Sequence, residues 1–246
     1  MLLNIIFSNP LLGALLFIAM AISLTMHEFG HAYVALLNGD RTAKMNGRVS
    51  FNPLRHLDPL GTIMLLTVGF GFAKPVPVNP NNFRKYKKGM FTTAIAGVSI
   101  NLTLAIISSF IYVLMMSFGI FPSFIEISPR LLSAFFMLFG QLNLALCFFN
   151  LLPLFPLDGF RVLETFAPRS RVSSFLRKYG FIIFLVLIAA NIIVNIGLDR
   201  GMPSWFRFFD ILGTYMRITA DALMTLLCRL WAVIFNVPTS LFPFRI

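Results

Sequence analysis

The stretch that decides the fold runs from residue 11 to residue 37 and reads LLGALLFIAMAISLTMHEFGHAYVALL. It is long enough to cross the hydrocarbon core of a bilayer, which requires about 20 mostly apolar residues. Inside this apolar run lies the pentapeptide His-Glu-Phe-Gly-His, residues 27–31. Ionisable side chains within a membrane-spanning helix are costly and usually functional. The sequence therefore predicts a membrane-spanning helix that carries a polar site.

The composition of the whole chain agrees with a membrane protein. Of its 246 residues, 58% are hydrophobic and only 12% are charged, and the mean hydropathy is +0.84. Soluble domains carry about 25% charged residues. This excludes a disordered chain, a secreted disulfide scaffold and an ordinary cytosolic enzyme. We expect the two cysteines, Cys147 and Cys228, to be buried small hydrophobic residues, because both lie in apolar stretches.

The apolar stretches define the predicted fold class, an all-α polytopic membrane protein with about four core transmembrane helices. The four predicted spans cover residues 11–37, 91–118, 131–152 and 181–198. We assign residues 1–198 to a membrane-embedded core and residues 199–246 to a C-terminal amphipathic helix region.

The distribution of basic residues predicts the orientation of these spans. Nine of the 20 Lys and Arg residues lie in the segment 38–90 and five lie in 153–180. Because basic residues concentrate in cytoplasmic loops, we expect both segments on the cytoplasmic side of a bacterial-type inner or plasma membrane. The N-terminus and loop 119–130 then face the opposite side.

The net charge of +11 does not indicate a nucleic-acid partner, since no basic groove with interleaved aromatic residues is visible. The cluster Arg84, Lys85, Lys87 and Lys88 precedes an apolar run and is typical of an anchor facing the lipid bilayer. Nothing in the sequence indicates an oligomeric state.

Two segments outside the four spans have their own patterns. Pro59–Ala73 is apolar but too short to cross the membrane as a helix, and the proline-rich sequence 74–80 follows it. We therefore expect a re-entrant loop or a short exposed strand.

The segment 205–235 has apolar residues on one helical face and charged residues on the opposite face. This pattern predicts an amphipathic helix that lies in the membrane interface or packs on the bundle. In it, Arg217 and Asp221 are spaced to pair at i, i+4. A fifth crossing helix is the alternative, and Arg229 in its middle counts against it.

The pentapeptide at 27–31 has the spacing of a metal site. His27 and His31 are four residues apart, so a helix places both imidazoles on one face, and Glu28 lies beside them. A hydrolytic zinc site needs three protein ligands and one open position. At the cytoplasmic end of the third span, two prolines and Gly159 break the helix around Asp158, which is the candidate third ligand.

His27-Glu28-Phe29-Gly30-His31 in a membrane helix, followed by Asn-Leu-Leu-Pro-Leu-Phe-Pro-Leu-Asp-Gly at 150–159, resembles the site-2 protease family of intramembrane zinc metalloproteases. The segments 72–79 and 97–101 are also similar to elements of this family. The resemblance covers roughly residues 20–165, and the chain looks like the short branch without a PDZ or CBS domain.

This resemblance implies a Zn²⁺ cofactor and a role for each matched residue. His27, His31 and Asp158 would bind zinc, and Glu28 would be the catalytic base that activates water to hydrolyse peptide bonds of transmembrane or membrane-associated protein substrates. Asn150 would hold the substrate backbone. For Asn101 two roles remain open: it could support the catalytic site or pack between helices.

The remaining polar and extended positions receive smaller roles. We expect an exposed strand near Val76 and Val78 to bind extended substrate by strand addition. We interpret four further side-chain amides as helix-packing groups: Gln141, Asn143, Asn191 and Asn195. We interpret His56 as an ordinary surface residue.

Two other functions remain open at this stage. A membrane zinc protease of the CAAX-processing type would take a glutamate as third ligand, and the downstream glutamates are Glu126 and Glu164. A non-proteolytic zinc-binding protein or transporter would favour a relay of ligands across the bilayer, whereas the metal-type ligands here cluster at one depth.

Overall fold

A computed structural model describes residues 9–68, 71–118 and 129–238. Residues 1–8 and most of the predicted outer loop, with Glu126, lie outside the described residues. The main helices in chain order are α1 (Pro10–Leu37), α2 (Thr42–Met45), α3 (Pro59–Val68), α4 (Tyr86–Phe118), α5 (Pro129–Leu151), α6 (Asp158–Phe166), α7 (Arg171–Asp199) and α8 (Ile211–Phe235). Short 3-10 turns occur at Pro53–Arg55, Pro80–Asn82 and Ser204–Phe209.

Five of these helices (α1, α4, α5, α7 and α8) are long and apolar enough to cross a membrane. This confirms the predicted all-α polytopic class. Helix α7 begins at Arg171 rather than near residue 181, because the Ser170 hydroxyl caps its first turn by accepting from the Ser173 N–H at 3.0 Å. The polar first turns of α7 extend the helix beyond its apolar part.

Helix α4 occupies the centre of the bundle and contacts α1, α5, α6 and α8. Helices α1 and α4 approach closely at Gly30, where a Cβ atom would lie 3.1 Å from the Ala96 carbonyl oxygen. Small residues allow this kind of close contact between membrane helices. Helix α7 lies at the side of the bundle, against α6, the turn Ser204–Phe209 and the start of α8.

The C-terminal segment packs on the bundle and is a fifth candidate span. This is the alternative to a helix lying in the membrane interface. Its buried stripe of Ala220, Met224, Cys228 and Ala232 faces a cluster that includes Ala105, Tyr112, Val113 and Leu144. Arg229 lies outside this stripe and is exposed. Both cysteines are buried and free, as expected.

The interpretation of residues 205–235 as one amphipathic helix with an Arg217–Asp221 pair is wrong in two respects. Asp210 interrupts the helix, since its buried carboxylate accepts from the Gly213 N–H at 2.7 Å and caps α8. Arg217–Asp221 forms a π-helical turn, and the two charged side chains have other partners. Arg217 lies 3.8 Å from Asp210, and Asp221 accepts from Gln141 at 3.1 Å.

The segment between α1 and α4 contains a helix that the sequence analysis did not anticipate. Residues 59–68 form α3, and the chain then returns in extended form, joined to Leu57 by one isolated antiparallel bridge at Ala73. The Lys74 N–H donates to the His56 carbonyl at 2.7 Å. The structure thus has a short apolar helix and an extended return where a loop or a short strand was predicted.

The prediction for His56 as a surface residue is wrong. Its side chain is fully buried, and its Nε2 lies 2.8 Å from the Ser50 carbonyl oxygen. Burial lowers the pKa of His56 below its usual value; the Ser50 carbonyl opposes this effect, while the nearby Arg48 adds to it. His56 is therefore part of the loop's interior.

Candidate metal centre

Three side chains from two helices meet at the centre of the bundle. The Nε2 atoms of His27 and His31 on α1 are 3.1 Å apart. Oδ2 of Asp158, the first residue of α6, lies 3.2 Å from the first and 3.0 Å from the second. All three side chains are buried. Among the described residues, they form a group whose ligand atoms are close enough to hold one metal ion.

The outer nitrogen of each imidazole faces an acceptor. His31 Nδ1 lies 2.7 Å from the carbonyl oxygen of Thr93, and His27 Nδ1 lies 2.9 Å from Oδ1 of Asn101. Because neither oxygen can donate, each Nδ1 carries the proton. In the neutral imidazoles each Nε2 then has its lone pair directed toward Asp158.

This arrangement fits a divalent cation. Two imidazole lone pairs and a carboxylate oxygen converge, and Oδ2 of Asp158 is a buried atom without a hydrogen-bond donor among the described residues. Three ligands at about 2.0 Å from one zinc ion in a tetrahedral site lie roughly 3.3 Å apart, close to the separations of 3.0–3.2 Å found here. His₂Asp is also a chemically suitable donor set for zinc with one open position.

The helix break before Asp158 places its carboxylate. Helix α5 ends at Leu151, and α6 starts at Asp158 after a turn that contains both prolines. At Gly159 a Cβ atom would lie 2.2 Å from the Leu151 carbonyl oxygen and 2.5 Å from that of Leu152. Glycine at this position therefore lets α6 fold back against the end of α5, which brings Asp158 to the two histidines.

Gly97 on α4 makes room for the imidazole pair. A Cβ atom there would lie 2.5 Å from His31 Nε2 and 2.6 Å from His27 Cε1. Asn101 follows one helical turn later and faces His27. Helix α4 thus provides the space and, through the Thr93 carbonyl and Asn101, both hydrogen-bond acceptors of the imidazoles.

Glu28 is half-buried beside His27 and is held by the extended segment. Its Oε2 accepts a hydrogen bond from the backbone N–H of Val76 at 3.1 Å. Both Glu28 and His27 line a cavity of about 650 Å³. A carboxylate in this position can exchange protons with a molecule bound in the cavity.

The cavity is bounded mainly by apolar and aromatic groups of several elements. Its walls come from α1, α5, α6, α7, the loop between α5 and α6, and the extended return after α3; they include Leu24, Phe72, Pro75, Phe149, Asn150, Phe155, Phe160 and Phe184. The Asn150 amide donates to the Leu146 carbonyl at 2.9 Å, and the described residues offer its Oδ1 no donor. The cavity therefore provides a mainly apolar space at which the Oδ1 of Asn150 is available as an acceptor.

The other predicted substrate-binding residues lie away from this open space. Asn101 is fully buried, and both ends of its carboxamide are engaged, with His27 and with Asn143. The side chains of Val76 and Val78 pack with Ala32 and Ala43. The extended residues that line the cavity are Gly71, Phe72, Ala73 and Pro75.

Asp40 is a structural residue of the site that sequence reasoning missed. Its buried carboxylate accepts from the Asn79 N–H at 2.7 Å and from Asn82 Nδ2 at 2.9 Å, which ties the end of α1 to the extended segment. Burial alone would raise the pKa of Asp40, but hydrogen bonds from Thr42, Asn82 and the Asn79 backbone hold it below its usual value. An Asn-Gly-Asp run after an apolar helix indicates only a turn, so the sequence carried no signal for this role.

The glutamate of the CAAX-type alternative does not reach the centre. Glu164 lies on α6 and pairs with Arg177 of α7 at 2.5 Å. It lines the cavity but is not in the three-residue group.

Comparison with known proteins gives consistent matches. Residues 15–190 match the model of the family described as Peptidase family M50. The protein of Bacillus subtilis (strain 168) named "Putative zinc metalloprotease YwhC" is 47% identical over 201 residues, which cover 79% of this chain and 90% of that protein.

More distant relatives carry similar names. "Putative zinc metalloprotease Rip2" of Mycobacterium tuberculosis (strain ATCC 25618 / H37Rv) is 27% identical over 219 residues, covering 87% of this chain and 79% of that protein. "Zinc metalloprotease MJ0392" of Methanocaldococcus jannaschii is 29% identical over 188 residues, covering 76% of this chain and 42% of that protein. No solved structure matches the chain significantly.

Proposed function

The chain belongs to Peptidase family M50, the site-2 protease family, and is a membrane zinc metalloprotease; we propose that it hydrolyses peptide bonds of transmembrane substrates within or at the edge of the bilayer. The observation that carries this proposal is the convergence of His27, His31 and Asp158 beside an apolar cavity between candidate spanning helices.

In this proposal His27, His31 and Asp158 hold the zinc ion, and Glu28 is the catalytic base. When bound, zinc lowers the pKa of water to about 7 and polarises the peptide carbonyl. The Glu28 carboxylate takes a proton from water and later passes it to the leaving amine. Its hydrogen bond from the Val76 N–H supports this role, because it orients the carboxylate at the cavity wall.

The substrate has to be locally extended, since the peptide bonds of a helix are enclosed in its own hydrogen bonds. The open Oδ1 of Asn150 is suited to accept a backbone N–H of such a segment. We propose that the substrate segment pairs with the extended residues 71–75 rather than with Val76 and Val78. Gly71, Phe72, Ala73 and Pro75 line the cavity, whereas Val76 and Val78 do not. Main-chain pairing with an extended edge is a common way to bind peptide in extended form.

The basic segments 38–90 and 153–180 are proposed to face the cytoplasm, because their positive charge favours that side. Asp158 begins α6, within the second of these segments. The metal centre would then lie nearer the cytoplasmic than the outer surface.

The decisive experiment compares the wild type with Glu28→Gln and His27→Ala in liposomes that contain a transmembrane peptide substrate. We expect Glu28→Gln to keep zinc but lose cleavage, and His27→Ala to lose both. Wild-type cleavage by Glu28→Gln would overturn the assignment of the base. Zinc transport across the liposome without any cleavage would favour the transporter alternative.

A further inference from the structure

A chain of buried polar side chains runs from the metal centre across three helices. Asn101 on α4 links His27 to Asn143 on α5, with 3.1 Å between Asn101 Nδ2 and Asn143 Oδ1. The Asn143 amide then donates to the Ser23 hydroxyl of α1 at 2.9 Å and to the Phe139 carbonyl at 2.8 Å. The side chains of Ser23, Asn101 and Asn143 are fully buried.

The direction of this chain is determined at its far end. The Phe139 carbonyl can only accept, so the amide nitrogen of Asn143 faces it and the amide oxygen of Asn143 faces Asn101. That oxygen requires the amide nitrogen of Asn101, which leaves Asn101 Oδ1 for His27. Reversing either amide would place two acceptors, or two donors, against each other. His27 Nδ1 must therefore donate, so the neutral imidazole has its lone pair on Nε2.

We infer that Asn143 is a positioning residue of the metal centre: acting through Asn101, it keeps His27 in the tautomer whose Nε2 binds the metal. This inference rests on the proposed role of His27 as a zinc ligand. Residues that orient a metal-binding histidine through its other ring nitrogen typically change metal affinity 10–100-fold when they are mutated. Asn143 would act on His27 through one further side-chain amide, that of Asn101.

A purely structural role would have a different signature. Interhelical hydrogen bonds of polar side chains contribute modestly to the stability of membrane bundles, and such a contribution does not depend on the metal. Gln141, also on α5, provides a matched control, because its amide donates to Asp221 of α8 at 3.1 Å. Among the described residues, Gln141 makes no hydrogen bond to Ser23, Asn101 or Asn143.

The test measures zinc affinity of purified protein by competition with a chelator, together with the visible spectrum of the Co²⁺-substituted form. We expect Asn143→Leu to weaken zinc binding about tenfold or more and to alter the Co²⁺ spectrum. Gln141→Leu should lower the thermal stability while leaving both metal readouts unchanged. Asn143→Asp, which would be protonated at this fully buried position, keeps an oxygen toward Asn101 and a donor toward the Phe139 carbonyl, and should bind zinc nearly as the wild type does. Should Asn143→Leu fail to fold, Asn143→Ala gives the same comparison without added volume.

A double-mutant cycle tests whether Asn143 acts through Asn101. Asn101→Leu should weaken zinc binding more than Asn143→Leu, and the double variant should bind zinc no more weakly than Asn101→Leu alone. Additive losses would overturn the inference, as would equal zinc affinities of Asn143→Leu and Gln141→Leu. If His27→Ala kept its zinc, the proposed ligand set would fail and this inference with it; if His27→Ala lost zinc while Asn143→Leu did not, only the inference would fail.

Discussion

The backbone N–H of Val76 donates a 3.1 Å hydrogen bond to Oε2 of Glu28, although the two residues are 48 positions apart in the sequence. The extended segment that lines the cavity is therefore connected directly to the proposed base. Asp40 anchors the same segment further along, through the Asn79 N–H. The cavity wall and the proposed base are thus joined by a hydrogen bond. A change in the backbone of the segment should therefore alter the orientation of the Glu28 carboxylate.

Removing the Val76 N–H should reduce catalysis without removing the metal. Val76→Pro eliminates the donor, and a hydrogen bond to a charged group is worth about 1.5–3 kcal/mol. Since about 1.4 kcal/mol corresponds to a tenfold change in rate, we expect kcat to fall about tenfold or more, with zinc content near that of the wild type. Cleavage of a reconstituted transmembrane substrate and metal analysis provide the two measurements.

Val76→Ala is the matched control for this substitution, because it retains the N–H and removes only part of a buried side chain. It should lose some thermal stability and keep a kcat near the wild-type value. Equal cleavage rates for the proline and alanine variants would show that the Val76 N–H does not orient Glu28.

Gly97→Ala should abolish zinc binding. Its Cβ atom would lie 2.5 Å from His31 Nε2, and the histidines cannot move away without losing Asp158. The control is Gly140→Ala, whose Cβ atom would meet the flexible end of Met224 at 3.1 Å and make an ordinary contact with Ser108 Cβ at 3.4 Å. We expect atomic absorption to find little zinc in the first variant and near-stoichiometric zinc in the second. Full zinc occupancy in Gly97→Ala would mean that the imidazoles are arranged differently.

The parts of the site that could be predicted from sequence are those set by local periodicity. His27 and His31 share a helix face because they are four residues apart, and the two prolines before Asp158 end α5. The predictions that failed depend on tertiary contacts. His56 lies in a loop of surface composition but is buried. Arg217 and Asp221 contact Asp210 and Gln141 instead of each other, which their spacing does not indicate.

Asn101 and Asn143 illustrate the same limit for polar residues. Both were candidates for packing amides, and both do connect helices. Their order along one hydrogen-bond chain to His27 depends on which carbonyls lie nearby, and the sequence does not encode that in any local pattern.

The identity of the third ligand can be tested by exchanging single carboxylates. We expect Asp158→Asn to lose zinc, because a neutral amide replaces the anionic ligand between the two imidazoles. Glu164→Gln should retain zinc, since Glu164 pairs with Arg177 instead. Metal analysis of both purified variants gives the answer, and loss of zinc from Glu164→Gln alone would favour a CAAX-type ligand set.

Phe72 should influence substrate binding and leave the metal unaffected. Its ring lines the cavity and is 42% exposed. Phe72→Asp puts a charge where an apolar substrate segment would lie, so KM should rise about tenfold, given that full burial of such a side chain is worth about 1.5–3 kcal/mol. Phe72→Leu retains the apolar surface and should stay within about threefold of wild type by the same reasoning. An unchanged KM in the aspartate variant would remove residues 71–75 from the substrate path.

Asp40 should stabilise the protein in a pH-dependent manner. Its pKa in the folded protein lies below the ordinary value of 3.8, so its stabilisation is fully present above that value and is lost as the pH falls toward the folded-state pKa. Asp40→Asn removes the charge that accepts from Asn79 and Asn82; we expect its Tm to be about 5 °C lower at neutral pH, from about 2 kcal/mol of lost hydrogen bonding. The difference should shrink as the pH falls below about 4. Asp199→Asn, at an exposed position, is the control and should match the wild type throughout. A difference between Asp40→Asn and wild type that stays constant down to acid pH would show that the ionised carboxylate is not what stabilises the segment.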